Sequence, residues 1–251
     1  IDNTYAYKLK SGKRKALSIV RDVLKLDGKR LKERRSVRLG AKDPYDTFSK
    51  IKEVAQRFKR TKVFWLTASN GPKDRNVSID NKEHQSLIKE VSQFAEVNIH
   101  PSYDSFNNAS QIRLERNGLA QITGKTINSS RQHFLRFQIP TSFRELIKAG
   151  ITDDYSMGFA EHVGFRSGTA HAHKWFDLEL NESTELTIHP FVYMDGTLRE
   201  YMKISQEESK SKIQAIYNEV QKFGGDFIFL WHNETIGDYE NWKDWSQVLD
   251  F

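Results

Sequence analysis

Four short clusters in this chain combine histidine with other groups able to bind a metal ion or move a proton. They are Asn98-Ile99-His100-Pro101-Ser102-Tyr103, Ser130-Arg131-Gln132-His133-Phe134, Leu186-Thr187-Ile188-His189-Pro190 and Phe229-Leu230-Trp231-His232-Asn233-Glu234. Imidazole titrates near neutrality and is the commonest protein metal ligand. Such clusters at the ends of strand-like segments predict a barrel with its site at the strand C-termini. The sequence contains no cysteine, which excludes disulfides and thiolate ligands and leaves His, Asp and Glu to hold any metal. These residue types suit amide hydrolysis. A divalent ion lowers the pKa of water from ~15.7 toward ~7 and polarises a carbonyl, a carboxylate takes the water's proton, and an imidazole protonates the leaving amine.

Apolar periodicity predicts the elements that must position these clusters. Residues 46–59 place Phe48, Ile51, Val54, Ala55 and Phe58 on one helical face, and 62–67 read as a buried strand. Helix 84–94 leads to strand 96–100, helix 109–122 to strand 130–137, and helix 142–148, with Gly150 as its C-cap, to strand 151–155. Residues 164–178 read as irregular structure and strand, 186–193 as a strand, 206–223 as a long helix closed by Gly224-Gly225, and 226–232 as the last strand. About seven strands joined by helices imply a parallel sheet, most economically closed as a distorted (β/α)7-type barrel that makes one domain of residues 1–251.

The net charge of +6 conceals an asymmetry: residues 1–62 carry 20 Lys/Arg against 7 Asp/Glu, and the remainder 19 against 26. Within the basic quarter, residues 13–40 read as a helical insertion broken near Asp27-Gly28, with Leu17, Val20, Val23, Leu24 and Leu31 among the cations. Either its apolar stripe packs on the barrel beneath a solvated basic face, or it lies on an anionic membrane surface or binds an acidic glycan. The segment lacks aromatics to stack bases, which argues against a nucleic-acid partner. No run approaches the ~18 apolar residues needed to span a bilayer, and a cytoplasmic or membrane-peripheral location is expected. Because the sequence opens at Ile1, the first strand is expected upstream of it.

In fixed order, the His100, Arg131 and His133 clusters, Asp154-Tyr155-Ser156-Met157-Gly158, Gly164-Phe165-Arg166-Ser167-Gly168-Thr169, Met194-Asp195-Gly196-Thr197-Leu198 and Leu230-Trp231-His232-Asn233 resemble the NodB-homology polysaccharide deacetylases. More narrowly, they resemble the deacetylases common in Bacteroidetes. The resemblance covers nearly the whole chain. It implies a distorted barrel and metal-dependent removal of an acyl group from an amino sugar or other glycan, with zinc as the expected ion and cobalt or nickel as alternatives. The family's first motif supplies aspartates as metal ligand and base, of which Asp2 is visible here. Its second motif offers two histidines four residues apart, whereas this chain has His100 and then Asp104. Strand alternation would put His133 on the face of Arg131, so His133 is expected to replace the missing ligand, giving a metal set of Asp2, His100 and His133. Arg131 matches the arginine that orients the base, and His232, in Leu230-Trp231-His232, matches the general acid.

Tyr103, Asp154, Arg166, Asp195 and Trp231 are the expected substrate-binding residues, Trp231 by stacking on a sugar ring, although large aromatics more often fill cores. His189 and the His171-Ala172-His173 pair read as structural or exposed histidines. The Asp104 departure also supports a second reading, a barrel that binds a glycan or lipid-linked sugar without hydrolysing it. A bound metal ion separates the two.

Overall fold

Alternating helical and strand periods become helices packed over a mostly parallel sheet. The computed structural model describes residues 1–10, 12–58, 60–69 and 71–250, so Lys59, the end of one expected helix, lies outside the described residues. An extended start precedes α1 (Gly12–Leu24), α2 (Gly28–Arg38) and α3 (Phe48–Arg57). Then come β1 (Lys62–Trp65), α4 (Lys82–Val91), β2 (Glu96–Ile99), α5 (Ala109–Thr123), β3 (Ser129–Ser130), α6 (Thr141–Lys148) and β4 (Asp153–Asp154). The antiparallel hairpin β5 (His173–Asp177) and β6 (Glu182–Ile188), β7 (Tyr193–Met194), α7 (Gln206–Phe223) and β8 (Phe229–Leu230) follow. One sheet runs β1-β2-β3-β4-β6-β5, parallel except for its hairpin, and β7 pairs with β8 in parallel.

Local chemistry explains the helix limits. The Asn108 side chain caps α5 by accepting from Gln111 N, and Gly124, at φ 66°, ends it in the left-handed conformation. Gly150, at φ 82°, likewise follows α6. Buried Trp65, Ile88, Ile99, Ile112, Leu119, Phe143 and Leu146 join these helices to the sheet. Each such side chain contributes about 1.5–3 kcal/mol by leaving water.

The expected strands are shorter than their apolar runs, 151–155 for instance pairing only over Asp153–Asp154. The run over 130–137 leaves the ladder after Ser130, because Gln132 N is taken by Ser156 Oγ at 2.9 Å, and a tight turn spans His133–Leu135 with Phe134 at φ 58°. The run over 186–193 divides between β6 and β7 at Pro190, which has no N–H to donate. The last run pairs only over Phe229–Leu230, opposite the two residues of β7.

Among the described residues, no strand pairing joins β8 to β1, so the expected closed barrel is not completed by ladders. The chain start bridges part of this gap. Ile1 N donates to Phe64 O at 2.5 Å, Leu66 N to Ile1 O at 3.1 Å, and Asn233 Nδ2 to Asn3 O at 2.9 Å.

In α1 and α2 the buried side is ionic. Asp22 is buried against Arg34 at 2.6 Å, while Leu17, Val20, Val23 and Leu24 point outward, from 50% to 79% exposed. The apolar stripe therefore does not pack on the barrel. No helix is long and apolar enough to cross a membrane, among the described residues.

Candidate metal and acid–base site

Parallel strands carry the residues that follow them to one end of the sheet. His100 follows β2, Arg131 and His133 follow β3, Asp195 follows β7 and His232 follows β8. Asp2 reaches the same end because Asn76 fixes the chain start: its Oδ1 accepts from Thr4 N at 2.8 Å, and its Nδ2 donates to Leu66 O at 2.7 Å and Ile1 O at 3.3 Å.

One ligand atom each from Asp2, His100 and His133 lies within 4.8 Å of the other two. His100 Nε2 is 3.3 Å from Asp2 Oδ1, and His133 Nε2 is 3.6 Å from Asp2 Oδ2. The opposite ring nitrogens are occupied. His100 Nδ1 bonds the Arg131 carbonyl oxygen, and His133 Nδ1 meets Asp74 Oδ1 at 2.9 Å. A carbonyl oxygen only accepts, so His100 carries its proton on Nδ1 and turns the Nε2 lone pair toward Asp2. Burial lowers the His100 pKa to about 4 against the opposing pull of Asp2, which keeps the ring neutral.

Asp2 Oδ1 is buried without a hydrogen-bond donor among the described residues. A carboxylate facing an imidazole lone pair sets acceptor against acceptor, an arrangement that a cation relieves. The donor set of two imidazoles and one carboxylate, beside a cavity of about 410 Å³, fits a zinc-type ion with room for water.

His232 lines the same cavity. Its Nδ1 lies 2.7 Å from Asp195 Oδ1, and its Nε2 lies 4.0 Å from Asp2 Oδ2. Burial alone would lower this imidazole, but Asp195 and then Asp2 push it up to about 9, so it is protonated at neutral pH. Glu234 also lines the cavity, with Asn3 Nδ2 3.4 Å from each oxygen; burial and the charge of Asp2 push its carboxyl up to about 7. Arg131 is buried in the cavity wall, and its Nε and Nη1 have no hydrogen-bond partner among the described residues.

The structure therefore brings together Asp2, His100, Arg131, His133, Asp195 and His232. His133 arrives by the turn over His133–Leu135 rather than by strand alternation. Asp195 is fully buried. Its oxygens receive Gly196 N, His232 N and the Thr235 hydroxyl besides the His232 ring, so it holds that histidine and does not reach outward. Asp154 is fully buried against Ser130 and Ser156. Tyr103 lies beside Arg136, whose guanidinium is 4.1 Å from the ring centroid, and Arg166 covers Phe137; neither lines the cavity. Trp231 lines an adjoining, more apolar cavity of about 550 Å³, which Arg131 and His232 also line. Asp104 is exposed. His189 pairs with Asp153 at 2.8 Å, and His173 bonds the His171 carbonyl. Sequence reading missed Asp74, which lies in a loop without periodicity, and gave no role of its own to Glu234, the last residue of the His232 cluster.

No family model and no curated protein matches the chain. Among solved structures, the chain is similar to a provisionally named polysaccharide deacetylase from Mycobacterium smegmatis, at 12% identity and a TM-score of 0.54, over 82% of this chain and 68% of the other. A provisionally named polysaccharide deacetylase from Bordetella bronchiseptica, described as involved in O-antigen biosynthesis, aligns at 10% identity and a TM-score of 0.40, over 82% and 77% of the two chains. At 12% identity the Mycobacterium smegmatis likeness shows a shared fold alone.

Proposed function

We propose that the chain is a metal-dependent hydrolase that removes an acyl group from the nitrogen of an amino sugar in a glycan. The observation that carries this reading is the convergence of Asp2, His100 and His133, each histidine anchored through Nδ1, on the cavity that holds the Asp195–His232 pair. The shared fold and the order of the motifs agree with it. A bound zinc, cobalt or nickel ion would supply Lewis acidity toward water and the acyl carbonyl.

The chain's own residues supply the proton transfers. Glu234, poised near neutrality, takes the proton of the attacking water. His232, charged at pH 7 and fixed by Asp195, donates from Nε2 to the departing amine. Arg131 offers its free guanidinium hydrogens to negative charge in the cavity.

The test combines elemental analysis of zinc-loaded protein with amine release from an N-acetylated sugar oligomer. Wild-type protein should bind about one ion and release amine; His133→Ala should lose the ion, whereas Asp104→Ala keeps it. His232→Ala and Glu234→Gln should keep the ion and lose ~10²–10⁴-fold in turnover. Absence of bound metal would overturn the reading. Metal binding without amine release would leave the glycan-binding alternative in its place.

A further inference from the structure

The α1–α2 hairpin reverses the usual arrangement of an amphipathic helix pair in water. Its inward side is ionic: Asp22 is held by Arg34 at 2.6 Å and Arg21 at 3.3 Å, and Glu33 accepts from the Tyr7 hydroxyl at 3.0 Å and the Tyr239 hydroxyl at 2.5 Å. Its outward side is apolar. Leu17 is 70% exposed, Val20 54% and Leu24 79%, a stripe with the 3–4-residue spacing of one helical face, and Leu26, just past the helix, is 90% exposed. Exposing these side chains to water forfeits the burial free energy that usually fixes such a helix. The ionic inner face, closed by Arg30 against Glu240 at 3.8 Å, sets the orientation instead.

Charge identifies what covers the stripe. Residues 12–40 carry 11 Lys/Arg against 3 Asp/Glu. Lys15, Arg21, Lys25, Lys29, Lys32, Arg35 and Arg38 are exposed on the same hairpin. A soluble acidic glycan would leave the leucines wet, and an acidic protein would need a matching apolar groove. A bilayer with anionic headgroups satisfies both parts, since acyl chains take the stripe and headgroups take the cations. We propose that this hairpin docks the protein on an anionic membrane surface. Tyr239 and Glu240, which touch the hairpin, also line the 410 Å³ cavity, so docking brings the cavity close to the headgroups.

The experiment is flotation of the full chain with vesicles of phosphatidylcholine alone or mixed equally with phosphatidylglycerol. Wild-type protein should float with the mixed vesicles and not with the neutral ones, and less of it should float as salt rises. Leu17→Ser/Val20→Ser/Leu24→Ser and, separately, Lys29→Gln/Lys32→Gln/Arg35→Gln/Arg38→Gln should each weaken binding by ~10-fold or more. Both variants should keep the wild-type melting temperature, because the altered side chains are exposed. They should also treat a soluble N-acetylated oligomer as the wild type does, which separates this proposal from the hydrolytic one. No flotation of wild type at low salt would overturn it. So would flotation indifferent to the serine variant, or a concentration-dependent dimer that the serine variant dissociates, which would assign the stripe to a second copy of the chain.

Discussion

His232 and His100 differ because their surroundings favour opposite protonation states. Burial holds His100 neutral, while fully buried Asp195 holds His232 charged. As the proposed general acid, His232 must hold its proton at the working pH, so turnover should fall as pH rises past its pKa. Asp195→Asn removes the attraction that opposes burial, and the alkaline limb of the pH–rate profile should move to lower pH with turnover reduced. A limb that stayed in place would show that another group sets it. His232 could be found from sequence because it closes the most apolar run, and the resemblance supplied its role. The acidic partner could not. Asp195 is 37 residues away and meets His232 only because β7 and β8 pair.

At the scale of elements, the sequence made the helices and the β1 and β2 strands legible, since each apolar period persists long enough to show a face. It concealed where ladders stop, because stopping depends on partners. Gln132 leaves β3 for the Ser156 hydroxyl, and Asp154 in β4 turns to serine hydroxyls rather than to the site. The unexpected burial of Asp154 raises its carboxyl to about 6, mainly by desolvation, against the hydrogen bonds of Ser130 and Ser156. A raised carboxyl contributes stability that is complete below its unfolded pKa of ~3.9 and is lost as pH climbs through the folded value, here by ~3 kcal/mol. Asp154→Asn keeps the shape without the charge, and the serine hydroxyls can rotate to accept from the new amide. The variant should therefore be more stable than wild type at pH 8 and equal to it near pH 4, as measured by urea unfolding. An equal loss of stability at both values would show that the carboxylate's hydrogen bonds outweigh its desolvation.

At the scale of the molecule, the chain start, tied to the β1 side by main-chain hydrogen bonds of Ile1, meets the segment after β8 through polar side chains. Asn233 donates to Asn3 O at 2.9 Å while its own carbonyl accepts from Thr47 Oγ1 at 2.9 Å. Asn76, on the opposite side, accepts from Thr4 N, Thr4 Oγ1 and Val77 N and donates to Leu66 O and Ile1 O. One buried amide thus fixes the segment that carries Asp2, a metal-ligand candidate, from outside the cavity. Removing it strands several buried donors and acceptors, each costing ~1–3 kcal/mol when left unmade. Asn76→Ala should therefore lower the urea midpoint and also weaken zinc binding, because Asp2 loses its fixed approach to His100 and His133. His84 separates the two effects. Its buried ring bonds Trp65 Nε1 at 2.9 Å and Ser78 O at 3.1 Å, and its hydrogen bond to the chain start is with the Thr4 hydroxyl. His84→Ala should cost comparable stability while preserving most of the zinc affinity, as measured by competition with a chelator. Equal loss of affinity in the two variants would mean that general destabilisation, and not the position of Asp2, governs the metal site.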